Sequence, residues 1–160
     1  MKTLITILFI FFCSVSYAQT NKTIKDSIFK KGDIVKIPEI IYGMSNPCVN
    51  GFTKDSVNLL GDFLISHKNL VAEIACYTDA LIGNDSFAMK LSESRAKCVW
   101  LYLAYNSKYK LDTNSIKYKG YGKSRLLVSK EQIEKEKTEE ERWKLDAINR
   151  RTELIILDVK

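Results

Sequence analysis

Two residues of opposite charge, Asp79 and Arg95, fit neither a core nor a periodic surface in this sequence. Asp79 stands where a buried strand is predicted to end, and Arg95 lies in the first turns of the helix predicted to follow. The two side chains can therefore face one crevice across the connecting loop. A guanidinium binds a carboxylate, and an aspartate binds an ammonium group, through charge-assisted contacts. The crevice would suit a zwitterionic amino-acid centre, although the two side chains can equally pair with each other and lock the loop.

Further polar side chains stand at the same predicted strand ends and in the same helix turns. They are Thr78, Ser92, Asn149, Arg150 and Arg151. We take them, with Asp79 and Arg95, as the candidate ligand-binding residues. The sequence leaves open whether Arg150 or Arg151 faces the crevice.

Residues suited to catalysis or metal binding are few. His67 is the only histidine, and nothing in the sequence indicates that it meets Cys76 and Asp79 to form a nucleophilic site. Gly122-Lys123-Ser124 copies the end of a phosphate-binding loop, but Lys117 occupies the position of that motif's leading glycine. We therefore predict a protein that is not an enzyme, with no metal and no cofactor.

The hydrophobic pattern predicts the elements that must position these residues. Strands are predicted at Asp33 to Ile41, Leu70 to Tyr77, Ser115 to Tyr121 and Thr152 to Val159. Helices are predicted from Thr53 to about Asn69, from about Phe87 to Asn106, and over residues 130 to 148. The apolar side predicted for the second helix comprises Phe87, Leu91, Cys98, Leu101, Tyr102 and Tyr105. The third helix is rich in Glu and Lys and is predicted to be solvated, and the order of elements favours a helix-covered sheet.

The composition of the chain indicates its class, and its first residues indicate where it works. Its 160 residues carry a net charge of +6 and 28% charged residues, which is typical of globular proteins. Residues 1–18 are typical of a secretory signal peptide, with a basic start, an apolar run and Ser16-Tyr17-Ala18 at the cleavage site. We expect a short polar leader at 19–31, one domain at 32–160 and no transmembrane segment after cleavage. The basic residues are dispersed, which favours anionic surfaces in general and argues against nucleic acid as the partner.

Four motifs occur along the chain in a fixed order. They are Cys76-Tyr77-Thr78-Asp79, Leu91-Ser92-Glu93-Ser94-Arg95-Ala96, Lys119-Gly120-Tyr121-Gly122 and Asn149-Arg150-Arg151-Thr152-Glu153. Together they resemble the signature blocks of the OmpA-like peptidoglycan-binding domain family, from about Gly32 to Val159. The resemblance implies an α/β (α+β) domain of the βαβαβ type, with a mixed sheet covered by helices and an extra charged helix before the last strand.

The same resemblance implies a function and a location. In the family, the Asp that matches Asp79 binds the ammonium group of diaminopimelate in the peptidoglycan stem peptide. The Arg that matches Arg95 binds its carboxylate. The Asn149-Arg150-Arg151 block borders that pocket. We accordingly expect non-catalytic binding of peptidoglycan in the bacterial cell envelope, by an exported protein of the periplasm associated with the outer membrane or cell wall.

Three departures from the family support an alternative function. Ala88 stands where many members have an asparagine that contacts the ligand, the loop from Asp79 to Leu91 is one residue longer than the common form, and the charged helix at 130–148 is additional. The alternative is a divergent interaction module that binds envelope proteins through residues 130–148 and no longer binds the wall.

Overall fold

The structure is a computed structural model that describes residues 21–40, 42 and 54–160. This part of the chain contains five strands and four helices. They are β1 (Asn21–Thr23), β2 (Ile34–Lys36), α1 (Lys54–Ser66), β3 (Leu70–Tyr77), α2 (Asp85–Tyr105), β4 (Ile116–Gly122), α3 (Lys130–Glu134), α4 (Glu139–Ala147) and β5 (Thr152–Val159). None of the helices described is long and apolar enough to cross a membrane. The predicted signal peptide and the Thr53 helix start lie outside the described residues.

The strands form one mixed sheet in the order β1-β2-β5-β3-β4. β3 and β4 run parallel, as do β1 and β2, whereas β5 is antiparallel to both β2 and β3. The mixed sheet confirms the predicted fold class. The predicted strands at 70–77 and 152–159 are confirmed with the same bounds.

The main core lies between one face of the sheet and helices α1 and α2. Its buried side chains include Leu60, Phe63, Leu64, Ile74, Val99, Leu103, Leu154 and Ile156. Alternation along β3 sends Leu70, Ala72 and Ile74 toward this core, as the sequence predicted. A smaller cluster on the opposite sheet face contains Ala75, Tyr77 and Ile155. Both faces of β3 and β5 therefore carry buried side chains, which explains the unbroken apolar run in β5.

The first predicted strand is shorter than expected. β2 ends at Lys36, two residues before Pro38, because proline has no N–H for the ladder. The prediction of strand for residues 37–40 is wrong, and Ile41 lies outside the described residues. Part of the predicted leader, Asn21–Thr23, is β1 and pairs with β2. The predicted boundary between the leader at 19–31 and the domain at 32–160 stays a prediction.

The single helix predicted at 130–148 is wrong, because two helices occupy this stretch. Thr138 caps a new helix through a reciprocal pair of hydrogen bonds with Glu141, and Ser129 and Gln132 cap α3 in the same way. Local capping thus divides a segment whose composition alone favours one continuous helix. Neither helix is fully solvated, because Ile133 is buried in α3 and Asp146 in α4.

The predicted apolar side of α2 is only partly right, because Tyr102 packs against the main core but the buried residues of the helix are not those predicted. Phe87 is exposed and Tyr105 is 83% exposed, and the buried residues are instead Ala88, Ser92, Arg95, Ala96, Val99 and Leu103. The cause is the close approach of β4, where a Cβ on Gly120 would lie 2.2 Å from the backbone nitrogen of Glu93. Only small side chains fit the helix at this contact, so α2 turns its small residues and Arg95 inward.

Candidate ligand-binding site

Asp79 forms an ion pair with Arg150. Because Cys76 pairs with Thr152 in the antiparallel ladder, the end of β3 lies beside the start of β5. Asp79 follows β3 by two residues and Arg150 precedes β5 by two, so their side chains meet. Arg150 Nη1 donates to Asp79 Oδ1 at 2.6 Å, and Asp79 is only 8% exposed.

Arg95 has no such partner within the described part of the chain. The residue is 5% exposed, and its Nε and Nη1 atoms are buried without a hydrogen-bond acceptor. Its guanidinium carbon lies 4.9 Å from the ring centre of Tyr42. Buried N–H groups on a cation are costly to leave unpaired, and a carboxylate is the acceptor that suits a guanidinium best. Arg95 and Asp79 therefore do not close on each other, which was one of the two arrangements that the sequence allowed.

Burial shifts the pKa of each charged group in the direction that disfavours its charged form. The pKa of Asp79 is raised by burial and by the nearby Asp146 carboxylate, while Arg150 acts in the opposite direction. The pKa of Arg95 is lowered by burial, and the charge of Asp79 opposes that shift. A ligand that carries both an ammonium and a carboxylate group would favour the charged form of each residue.

Cys76 lies in a buried hydroxyl and thiol cluster. Tyr42 Oη lies 3.1 Å from Thr152 Oγ1 and 3.6 Å from Cys76 Sγ. Burial raises the pKa of the Cys76 thiol, which disfavours the reactive thiolate. His67 lies just beyond the end of α1, where its ring stacks on Phe63 and its Nδ1 atom is 2.9 Å from the Phe63 carbonyl oxygen. The structure does not bring His67 to Cys76.

The hydroxyl of Ser92 joins α2 to β4. It donates to the Met89 carbonyl oxygen at 2.8 Å and accepts from the Gly122 N–H at 2.9 Å. Thr78 is fully buried beside it, and its N–H donates to the Gly122 carbonyl oxygen at 3.0 Å. The Thr78 hydroxyl is buried without a partner among the described residues. Ser92 therefore positions the helix that carries Arg95, and Thr78 positions the chain before Asp79.

Asn149 is fully buried and uses both ends of its amide. Its Oδ1 atom accepts from the N–H groups of Leu127 and Val128, and its Nδ2 atom donates to the Val128 carbonyl oxygen and to Asp146. These bonds tie the segment after β4 to the end of α4. The geometry makes Asn149 a positioning residue that holds Arg150 in place.

Arg151 points away from Asp79. Its Nε atom donates to Glu153 at 2.7 Å, its Nη2 atom donates to the Arg125 carbonyl oxygen, and its guanidinium lies 3.8 Å from the ring centre of Tyr77. These contacts place it on the sheet face opposite α1 and α2. Arg150, and not Arg151, therefore faces the candidate site.

Asp146 on α4 holds the loop that follows Asp79. Its two carboxylate oxygens accept the N–H groups of Ala80 at 2.6 Å and Leu81 at 3.1 Å. The carboxylate is buried, so these charge-assisted bonds connect α4 firmly to the loop. Helix α4 thus positions Asp79.

We expect Asp146→Ala to lower the free energy of unfolding by about 2–3 kcal/mol, because the N–H groups of Ala80 and Leu81 lose their acceptor. Urea unfolding measures this change. Glu140→Ala is the matched control, since it removes an exposed carboxylate from the same helix and should cost less than about 0.5 kcal/mol. An equal loss in the two variants would contradict the positioning role of Asp146.

A cleft of about 400 Å³ opens beside the ion pair. It is lined by Asp79, Leu81, Ile82, Glu139, Arg142, Trp143, Asp146 and Arg150. The Arg150 guanidinium lies 4.8 Å from the ring centre of Trp143, so it contacts both the carboxylate of Asp79 and this indole. Arg95 is not among the lining residues. In the described part of the chain, no group of three or more His, Cys, Asp or Glu residues could hold a metal ion.

The sequence did not indicate the roles of three residues in this region. They are Tyr42, which contacts Arg95, Asp146, which holds the loop after Asp79, and Trp143, which lines the cleft. Asp146 stands three positions before Asn149, which places both on one side of a helix end, but the surrounding Glu and Lys residues hide that signal. Tyr42 follows the predicted strand at Asp33 to Ile41, and nothing in the neighbouring sequence indicates a contact with Arg95.

Comparisons with known proteins bear on the fold. No protein-family model matches the chain. No curated protein sequence matches it either.

Solved structures do share its architecture. A MotB-like protein from Desulfovibrio vulgaris is similar with a TM-score of 0.56 and 16% identity, over 76% of this chain and 68% of that one. The peptidoglycan-associated lipoprotein of Burkholderia pseudomallei has a TM-score of 0.51 and 17% identity, over 72% and 86%. The OmpA-like domain of FopA1 from Francisella tularensis has a TM-score of 0.50 and 18% identity, over 83% and 85%. The chain therefore has the OmpA-like fold that its four motifs predicted.

Proposed function

We propose that this chain binds peptidoglycan non-covalently by holding the diaminopimelate residue of the stem peptide between Asp79 and Arg95. Arg95 binds the side-chain carboxylate of that residue, and Asp79 binds its ammonium group. The observation that carries the proposal is the buried Arg95 guanidinium, in which two nitrogen atoms, Nε and Nη1, have no acceptor. A ligand carboxylate would satisfy them.

The ion pair between Asp79 and Arg150 is compatible with an ammonium ligand. A carboxylate has two oxygens and about four sites for accepting hydrogen bonds, and Arg150 Nη1 uses one oxygen. The ligand ammonium therefore has a place on the same carboxylate. Arg150 limits how far the Asp79 side chain can turn, so it prepares the carboxylate for the ligand.

Two further observations support the wall as the target. One structurally similar protein is a peptidoglycan-associated lipoprotein, and the first 18 residues of this chain are typical of an export signal. Both point to the bacterial cell envelope, in the periplasm, as the place where the protein works. We infer that the site is not catalytic. Its described polar groups bind backbone groups, bind each other, or lack a partner that a ligand would supply.

Sacculi that contain diaminopimelate are the direct test. The wild-type protein should sediment with them, and Asp79→Asn should lose at least about tenfold in affinity because a neutral amide binds the ammonium poorly. Sacculi whose stem peptide carries lysine lack the carboxylate that Arg95 would bind, so they should retain the wild-type protein at least about tenfold less well.

Failure of the wild-type protein to bind either wall would refute the proposal. Co-purification of an envelope protein through residues 130–148 would then support the alternative interaction module. One departure that motivated this alternative is explained by packing, because Ala88 is fully buried near Gly122 of β4.

Wall binding should depend on the ionisation of Asp79. Its pKa is raised by burial, so the carboxylate becomes protonated, and loses its hold on an ammonium group, at a pH above the usual value of about 4. Binding to sacculi should therefore strengthen as the pH rises through this pKa and should be lost below it. Asp79→Asn should bind weakly with a flatter profile across the same range, and parallel profiles for the two proteins would contradict the role of Asp79.

A further inference from the structure

Trp143 is exposed in the cleft that also contains Asp79. The residue is 63% exposed, and Leu81 on the loop that follows Asp79 is 43% exposed. Large apolar side chains that stay exposed together beside a polar site are typical of a binding surface. The arrangement leaves an indole ring and an aliphatic side chain in one open cleft of about 400 Å³.

Two contacts link Trp143 and the helix that carries it to Asp79 and the loop that follows Asp79. Asp146, one helical turn after Trp143, binds the loop N–H groups of Ala80 and Leu81. Arg150 lies over the Trp143 ring while its Nη1 atom binds Asp79. The ring therefore keeps a defined distance from the carboxylate, and little conformational entropy is lost when a ligand contacts both.

We propose that Trp143 and Leu81 form a second subsite, which binds an aliphatic C–H surface of peptidoglycan next to the amino acid held by Asp79 and Arg95. This inference rests on the proposed function. The occupant is the adjoining part of the same wall fragment, because Asp79 lines this cleft and also belongs to the charged site. Glu139 and Arg142 add one charge of each sign to the cleft lining, which matches a ligand with polar groups around an apolar surface.

Two parts of a wall fragment offer such a C–H surface, the methyl groups of its alanines and the apolar face of its sugar rings. Both would pack against the Trp143 ring by the same contact chemistry. A glycan-free stem peptide and the same peptide attached to its disaccharide distinguish the two sources.

Calorimetric titration with these two ligands tests the subsite. Trp143→Ala and Leu81→Ala should each bind the disaccharide-peptide about tenfold more weakly than the wild-type protein. Trp143→Phe should stay within about threefold, since it keeps an aromatic face. Tyr105→Ala is the matched control, because Tyr105 is an exposed aromatic residue at the far end of α2, and its removal should change nothing.

The outcomes separate this inference from the proposed function. Weaker binding of both ligands by Trp143→Ala supports contact with the peptide, and weaker binding of the disaccharide-peptide alone supports contact with the sugar. Wild-type affinity in both Trp143→Ala and Leu81→Ala, with Arg95-dependent binding preserved, would overturn the subsite and leave the proposed function standing. Absence of binding by the wild-type protein would overturn both.

Discussion

Arg95→Met is expected to abolish retention on sacculi while leaving the protein folded. Removing one partner of a desolvated charged contact costs about 2–5 kcal/mol of binding free energy, which is roughly thirtyfold to several thousandfold in affinity. The free protein should lose little stability, because two buried nitrogen atoms of Arg95 have no acceptor and a methionine needs none. Removing the unpaired N–H groups should itself stabilise the protein, and the lost contact with the Tyr42 ring offsets part of that stabilisation.

The free energy of unfolding of Arg95→Met should consequently stay within about 1 kcal/mol of the wild-type value. This combination separates a ligand-binding arginine from a structural one, whose removal would lower stability and binding together. Sedimentation with sacculi measures the first quantity and urea unfolding the second.

Arg125→Met is the matched control for charge. It also removes one guanidinium, but Arg125 is exposed, and its side chain lies near Tyr121, at 5.2 Å from the ring centre. Retention by Arg95→Met equal to that of Arg125→Met would show that Arg95 contributes no more to binding than any other positive charge. The proposed contact with a ligand carboxylate would then be wrong.

Gly120→Ala is expected to cause a large loss of stability, because the added methyl group has no room between β4 and α2. A Cβ at Gly120 would lie 2.2 Å from the backbone nitrogen of Glu93 and 2.5 Å from Ser92 Oγ. The backbone of α2 cannot move aside without disturbing the hydrogen bond between Ser92 and Gly122. We expect a loss of about 3 kcal/mol or more in the free energy of unfolding, at or above the upper end for overpacked sites.

Lys119→Ala, which changes an exposed side chain of the same strand, is the control and should stay within about 0.5 kcal/mol. Chemical denaturation of the two variants provides the comparison. A Gly120→Ala protein as stable as the control would mean that α2 and β4 pack less closely than the structure has them. The inward orientation of Arg95 would then lose its explanation.

Elements with a strong local pattern could be predicted from the sequence. The alternation in Leu70–Tyr77 and the apolar run in Thr152–Val159 predicted β3 and β5 to the residue, because burial of a strand leaves a period-two or continuous apolar signal. The break between α3 and α4 could also have been found, since Thr138 and Glu141 have the spacing of a capping box. The density of Glu and Lys concealed it.

The buried face of α2 could not be predicted from the helix alone. Its apolar residues suggest one side, but β4 approaches another, at a glycine that lies 25 positions beyond Arg95 in the chain. A close backbone contact between distant segments favours Ala88 and Ser92 over larger side chains at that face. The hydrophobic periodicity of one helix contains no information about such a contact.

The sequence by itself determined the fold class, the ends of the two central strands and the residues proposed for the charged site, because strand periodicity and the four motifs are local properties of the chain. The tertiary structure alone decided how those charges are paired. Asp79 binds Arg150, and two nitrogen atoms of Arg95 stay without an acceptor, because β3 and β5 are antiparallel, with Cys76 opposite Thr152. That register brings together two residues 71 positions apart, which no spacing within a single segment could reveal.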